Sequence, residues 1–146
     1  MPRSSRALRR FNYLLSETDA AYHEAASRLG LSDSVMQILY TVCDSDSGER
    51  CPLSEVCRRT GISKQTINSA LRRLEADGIV RLEQAGGRSK DVCLTRRGGE
   101  LAQDTVVKII QAEDAVLASW PEEDVAAYLS LTERYLDAFR DEIKKL

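Results

Sequence analysis

Within ten residues, from 64 to 73, the chain sets Lys64, Gln65, Asn68, Ser69, Arg72 and Arg73. Amides and hydroxyls that both donate and accept hydrogen bonds can read base edges, and cations bind phosphate oxygens or the acceptor edge of guanine. A second cationic group lies in the run Gly86-Gly87-Arg88-Ser89-Lys90. Two glycines free to take positive φ, no bulky apolar side chain and the cations Arg88 and Lys90 make a flexible tip suited to a minor groove. Ser63, just ahead of the first group, has a hydroxyl that can cap a helix, and backbone amides near it can hold a phosphate. These residue types bind nucleic acid; they do not break bonds.

The segments that must position them are legible from spacing. Leu53, Val56 and Cys57 form one apolar stripe of a short helix that stops at Gly61, a residue able to take the left-handed conformation used at helix ends. Ser63 then opens a second helix whose buried face is Ile67, Leu71 and Leu74, at i, i+4 and i+7. Its opposite face carries the polar group. After Asp77 and Gly78, Val80 and Leu82 alternate with Arg81 and Glu83, and Val92 and Leu94 flank Cys93, the pattern of two short strands. Helix, tight turn, helix and basic-tipped hairpin in unbroken succession over residues 54–95 predict a winged helix-turn-helix.

Charge supports this placement. Residues 51–97 hold ten Lys and Arg against five Asp and Glu, net +5, inside a chain of 21 basic and 23 acidic residues whose net charge is −2. Steering and phosphate neutralisation depend on the local patch rather than the sum. At 146 residues the chain is of single-domain size. No apolar run of bilayer-spanning length is present, and the N-terminal Arg3, Arg6, Arg9 and Arg10 lead into no signal-like stretch, so a cytoplasmic protein without membrane contact is expected. The single His23 has no nucleophile motif beside it, and there is no phosphate-cradling glycine loop outside the hairpin, so no enzyme is expected. Without paired CxxC motifs, no metal and no cofactor are expected.

Both chain ends carry long apolar seams. Leu8, Phe11, Leu15, Thr18, Tyr22, Ala25 and Leu29 step by three and four, and so do Val125, Leu129, Thr132, Leu136, Phe139, Ile143 and Leu146. Ser119 and Glu122 are placed for a capping box, with Pro121 in the first turn, and Thr95 is expected to cap a third long helix running to about Ser119. A winged helix is already compact, so these seams have more surface to bury than it offers. We expect one mainly α domain over 1–146, with a winged helix-turn-helix at 31–97, a two-stranded β wing, and helices in 1–30 and 98–146 forming a homodimerisation region. A two-fold dimer with two recognition helices about one DNA turn apart predicts a pseudo-palindromic operator on double-stranded DNA.

The same residues resemble the MarR family of bacterial transcriptional regulators over nearly the whole chain. Leu31-Ser32-Asp33 leading into Val35, Met36, Ile38 and Leu39 is similar to the family's helix before the motif. Leu74-Glu75-Ala76-Asp77-Gly78-Ile79-Val80 is similar to its exit into the wing, and Leu94-Thr95-Arg96-Arg97-Gly98 to its wing-to-helix junction. Arg88 takes the place of the family's groove-inserting arginine, while Gly86 stands where the family commonly has an acid. The resemblance implies a symmetric dimer that represses transcription and is released from DNA by a small molecule or an oxidant. For a small aromatic or anionic effector it points to Tyr13, His23, Met36 and Tyr40. The alternatives are a thiol switch using Cys43 and Cys51, which flank the loop Asp44-Ser45-Asp46-Ser47-Gly48-Glu49-Arg50, and a winged-helix module that docks protein instead of DNA.

Overall fold

Ser5, Ser32, Ser63 and Thr95 each open a helix by accepting the backbone N–H three residues on, a contribution of about 1 kcal/mol apiece. The computed structural model describes Met1 and residues 3–146. Its elements are α1 (Arg6–Arg28), α2 (Asp33–Cys43), β1 (Arg50–Pro52), α3 (Leu53–Thr60), α4 (Lys64–Ala76), β2 (Val80–Gln84), β3 (Lys90–Leu94), α5 (Arg96–Asp104), α6 (Val106–Ala118) and α7 (Glu122–Ile143). The expected mainly α architecture with a winged helix-turn-helix is present. The chain divides into two compact units, 1–110 and 111–146.

In the first unit α2 is central and packs on α1, α3, α4 and α5. Its Ile38, Leu39 and Val42 are fully buried together with Val56 of α3, Ile67 of α4, Val92 of β3 and Val106 of α6. The apolar stripes that predict α3 and α4 are therefore the faces that meet the core. Only the C-terminal end of the α1 seam joins it, through Tyr22, Ala25, Ala26 and Leu29. Further toward the N-terminus Leu8, Tyr13, Leu14 and Leu15 are exposed.

The wing is a three-stranded antiparallel sheet of order β1-β3-β2, rather than the two-stranded hairpin expected. The added strand comes from the end of the Asp44–Arg50 stretch, where Arg50, Cys51 and Pro52 pair with Cys93, Val92 and Asp91. A three-residue strand offers too few positions for an alternation to be read, and its pairing is decided by β3. The long helix expected from Thr95 to Ser119 is also interrupted. Thr105 leaves helical geometry at φ −129°, ψ −94°, with its hydroxyl donating to the Leu101 carbonyl at 2.6 Å. Neither glycine nor proline marks the break, so the apolar period runs through it.

In the second unit no residue of α7 is buried. Leu129, Tyr135, Leu136, Phe139 and Ile143 are each between 42% and 56% exposed. Trp120 and Tyr128 pack edge to face at 5.5 Å, and Tyr135 stacks on Phe139 at 5.8 Å. The capping box expected here does not form. Pro121 occupies the N-cap without a side-chain bond, and the Ser119 hydroxyl instead donates back to the Val116 carbonyl at 2.6 Å. Glu122, Glu123 and Asp124 in the first turn complement the helix dipole. No described helix is long and apolar enough to cross a membrane.

Candidate nucleic-acid interface

The turn between α3 and α4 is set by Gly61, which caps α3 at φ 64°, where a side chain would be strained. Ser63 follows in extended geometry and its Oγ accepts from the Thr66 amide at 3.2 Å. The same hydroxyl donates to Thr66 Oγ1 at 2.9 Å. Ser63 is therefore engaged as a cap, and any phosphate contact there falls to the free amides of the first turn. With Ile67, Leu71 and Leu74 buried, a 100° step per residue puts Gln65, Ser69 and Arg72 at the centre of the outward face. All three are exposed. Lys64 and Asn68 lie on one flank, and Asn68 is half-buried there. Thr66, exposed on the other flank, is a hydrogen-bonding residue that the sequence reading passed over. Arg73 turns away to line a groove with Arg97, Asp77 and Glu100.

The wing tip is held by its own short bonds. Ala85 N–H donates to the Ser89 carbonyl, and both the amide and the hydroxyl of Ser89 donate to the Gly86 carbonyl. Gly86 and Gly87 take φ of 114° and 55°. Arg88 is exposed at this tip. Lys90 is not part of the tip, as the spacing suggested, but the first residue of β3, paired with Gln84. Across the wing sheet Arg50, Asp91, Glu83 and Arg81 form a linked set of ion pairs. The hydrogen bond from Arg81 holds the Glu83 carboxyl below its ordinary range.

Where the wing returns to the helices, Thr95 Oγ1 donates to the Gly78 and Ile79 carbonyls at 2.6 and 3.1 Å and accepts from the Gly98 amide at 3.0 Å. This knot fixes α5 against the start of β2.

A cleft of about 570 Å³ opens on the first unit. Three of the four residues proposed for an effector line it, namely His23, Met36 and Tyr40, joined by Asp19, Tyr22, Asp33, Gln37 and Arg59. His23 Nδ1 lies 2.8 Å from both carboxylate oxygens of Asp33. Tyr22 meets Tyr40 edge to face at 6.5 Å, and Arg59 pairs with Asp44 at 2.5 Å. Tyr13 is not in the cleft. It is 55% exposed on α1, with the Arg10 guanidinium 5.5 Å from its ring centre. Nothing in the spacing distinguishes Arg59 from the other surface cations of α3, so only packing against α1 and α2 brings it to the cleft.

Cys43, Cys51, Cys57 and Cys93 are all free thiols. Burial pushes the Cys43 thiol up to about 11 and raises Cys51 and Cys93 as well. Desolvation thus suppresses the thiolate on which oxidation depends. Among the described residues no group of three or more His, Cys, Asp or Glu is arranged to hold a metal ion.

Residues 29–89 match the model of the MarR family. No curated protein sequence matches the chain. Among solved structures, a MarR family regulator from Neisseria meningitidis superposes with a TM-score of 0.80 at 15% identity, over 97% of this chain and 99% of that one. A MarR family transcriptional regulator from Silicibacter pomeroyi gives 0.69 at 23% identity, over 90% and 88%. NadR in complex with 4-hydroxyphenylacetate gives 0.70 at 16%, over 92% and 97%. Residues 29–89 are thus similar in sequence to the MarR family, and over nearly its whole length the chain has the fold seen in solved MarR family regulators.

Proposed function

We propose that the protein is a sequence-specific double-stranded DNA-binding regulator, a cytoplasmic homodimer that represses transcription until a small molecule releases it. The observation that carries this reading is the outward face of α4, where Gln65, Ser69 and Arg72 stand exposed with Lys64 and Asn68 beside them, opposite a face packed into the core. An amide, a hydroxyl and a guanidinium in that spacing match the donor and acceptor pattern of a major groove. Amides at the Ser63 turn hold a phosphate, Arg88 enters the neighbouring minor groove, and Lys90 meets the backbone beside it. The exposed apolar face of α7 supports the homodimer, because a helix with no buried residue and seven large apolar side chains exposed is stable only when another surface covers it. Residues 1–30 and 98–146 supply that dimerisation region, and 31–97 the DNA-binding region. A two-fold axis then calls for a pseudo-palindromic operator.

The effector reading rests on the cleft beside α1 and α2. Tyr22 and Tyr40 offer ring faces and edges, Met36 an adaptable apolar wall, and His23 and Arg59 donors for an anion. NadR, which shares the fold, binds the aromatic anion 4-hydroxyphenylacetate, and a small aromatic or anionic effector suits this cleft on the same chemistry. His23 and Arg59 are paired with Asp33 and Asp44 through Nδ1 and Nη2, so an anion meets them through His23 Nε2 and the remaining N–H groups of Arg59.

A gel shift of the full-length protein on DNA from around its own gene, with random competitor, tests the reading. Retention of a pseudo-palindromic fragment, reversed by an aromatic carboxylate and indifferent to peroxide, is the expected result. Release by peroxide alone would put the Cys43 and Cys51 thiols ahead of the cleft. Absence of retention even at low salt would overturn DNA binding and favour a protein-docking module.

A further inference from the structure

On the outer face of the wing sheet the side chains fall into two rows: Arg50, Cys93 and Arg81 in one, Pro52, Asp91 and Glu83 in the next. Cys51, Val92 and Leu82 point the other way, into the core. Within the outer rows one residue reaches across the whole sheet. Arg50 Nε and Nη2 both meet Asp91 Oδ2, at 2.9 and 2.8 Å, and Nη2 also lies 3.4 Å from Glu83 Oε2. Glu83 in turn binds Arg81 Nε at 2.6 Å. The Asp91 side chain is only 14% exposed, so this pairing is better shielded from water than an ordinary surface ion pair.

The topology gives these contacts their meaning. β1 bonds only to β3, and β2 only to the other edge of β3. No backbone bond joins β1 to β2. Arg50 to Glu83 is a direct link between them, passing over the central strand. Beyond the Gln84 and Lys90 pair the tip is bonded only to itself, and a two-stranded ribbon is marginally stable and free to twist. Without a tie between the outer strands, β2 can pivot about β3, and each degree of pivot is magnified at residue 88.

We propose that Arg50 is a positioning residue for the wing, spanning all three strands so that the hairpin presents Arg88 at one angle. What the wing does at that angle rests on the DNA-binding reading; the brace itself does not. Arg50 is 48% exposed on its side chain, so the rival role is a direct phosphate contact. Lysine keeps the charge for a phosphate but cannot make the forked contact to Asp91 and Glu83 at once.

The test uses full-length Arg50→Gln and Arg50→Lys, each alone and combined with Arg88→Ala. Amide hydrogen exchange over residues 85–94, without DNA, is the first readout. Both variants are expected to speed exchange there by about threefold to tenfold, the range of a shielded ion-pair network, while amides of α2 stay unchanged. Operator affinity is the second readout. Each Arg50 variant is expected to weaken binding by a similar factor, and the loss is expected to vanish in the Arg88→Ala background, because a misplaced tip without its arginine has nothing left to lose. Unchanged exchange in both variants would overturn the brace. So would full affinity in Arg50→Lys, or losses that multiply with Arg88→Ala, since both mark a phosphate contact. If the wild-type protein binds no DNA, the DNA reading fails by itself, and the exchange result still decides whether Arg50 braces the wing.

Discussion

Gly98→Ala sets two large effects against each other at one position, with a control next door. A Cβ built on Gly98 falls 1.9 Å from the Ile79 carbonyl oxygen and 3.0 Å from its carbon. Ordinary contact needs about 3.4 Å, so α5 or the start of β2 must move by roughly 1.5 Å. The obstacle is backbone, which cannot rotate away. That carbonyl also accepts from the Thr95 amide at 3.0 Å and from Thr95 Oγ1 at 3.1 Å, bonds worth about 1 kcal/mol each that the shift would strain. Against this stands the helix preference for alanine over glycine, at most about 1 kcal/mol. Overpacking of about 1 to 3 kcal/mol plus the strained bonds, less that gain, leaves a net loss of about 2 to 4 kcal/mol. For a chain of this size that is a fall in Tm of about 5 to 15 °C. Gly99 lies in the same helix with nothing within 4 Å of its added Cβ, so Gly99→Ala should be neutral or stabilising by up to about 1 kcal/mol. Urea titrations of both variants and wild type, at one protein concentration because oligomers couple stability to mass action, give the comparison. A Gly98→Ala protein as stable as Gly99→Ala would refute the packing argument at this junction.

Arg72→Ala should cost about 1 to 3 kcal/mol on an operator and much less on random DNA if its guanidinium reads a base; equal losses in fluorescence anisotropy would make it a phosphate contact. Leu136→Glu, at a position 42% exposed on α7, should convert the proposed dimer to monomers in sedimentation, because each substitution would count twice across a two-fold axis and remove about 3 to 6 kcal/mol of apolar burial. An unchanged mass would disconnect α7 from assembly. The Cys43 thiol, raised from 9.0 to about 11 by burial, should react with iodoacetamide at pH 8 about a hundredfold more slowly than an ordinary thiol, the ratio of thiolate populations. The sign for stability follows: folding favours the protonated thiol, so this contribution is complete below pH 9 and is lost as pH rises from 9 toward 11. Fast alkylation at pH 8 would contradict the burial and return the thiol switch to consideration.

The outward polar face of α4 was legible in the sequence because a helix imposes its own period. Once Ile67, Leu71 and Leu74 are assigned to the core, the positions of Gln65, Ser69 and Arg72 follow from geometry local to α4, and Gly61 and Ser63 announce the turn by backbone chemistry that needs no partner. The same local logic marked α7 as a helix with one apolar face too many. Other features depend on residues far apart in the chain, and no local rule encodes them. β1 exists only because β3 offers an edge 41 residues from Arg50, and with it come the outer strand and the network around Asp91. The break at Thr105 leaves no mark on the apolar period. The cleft gathers His23, Met36, Tyr40 and Arg59 from three helices but leaves Tyr13 outside, a distinction that helical spacing cannot make. Periodicity and caps thus determine which elements form and which faces are free, since both are set within a turn or two of chain. Which free faces meet, and which side chains share a site, is decided by packing between elements, where the physical contacts cross tens of residues.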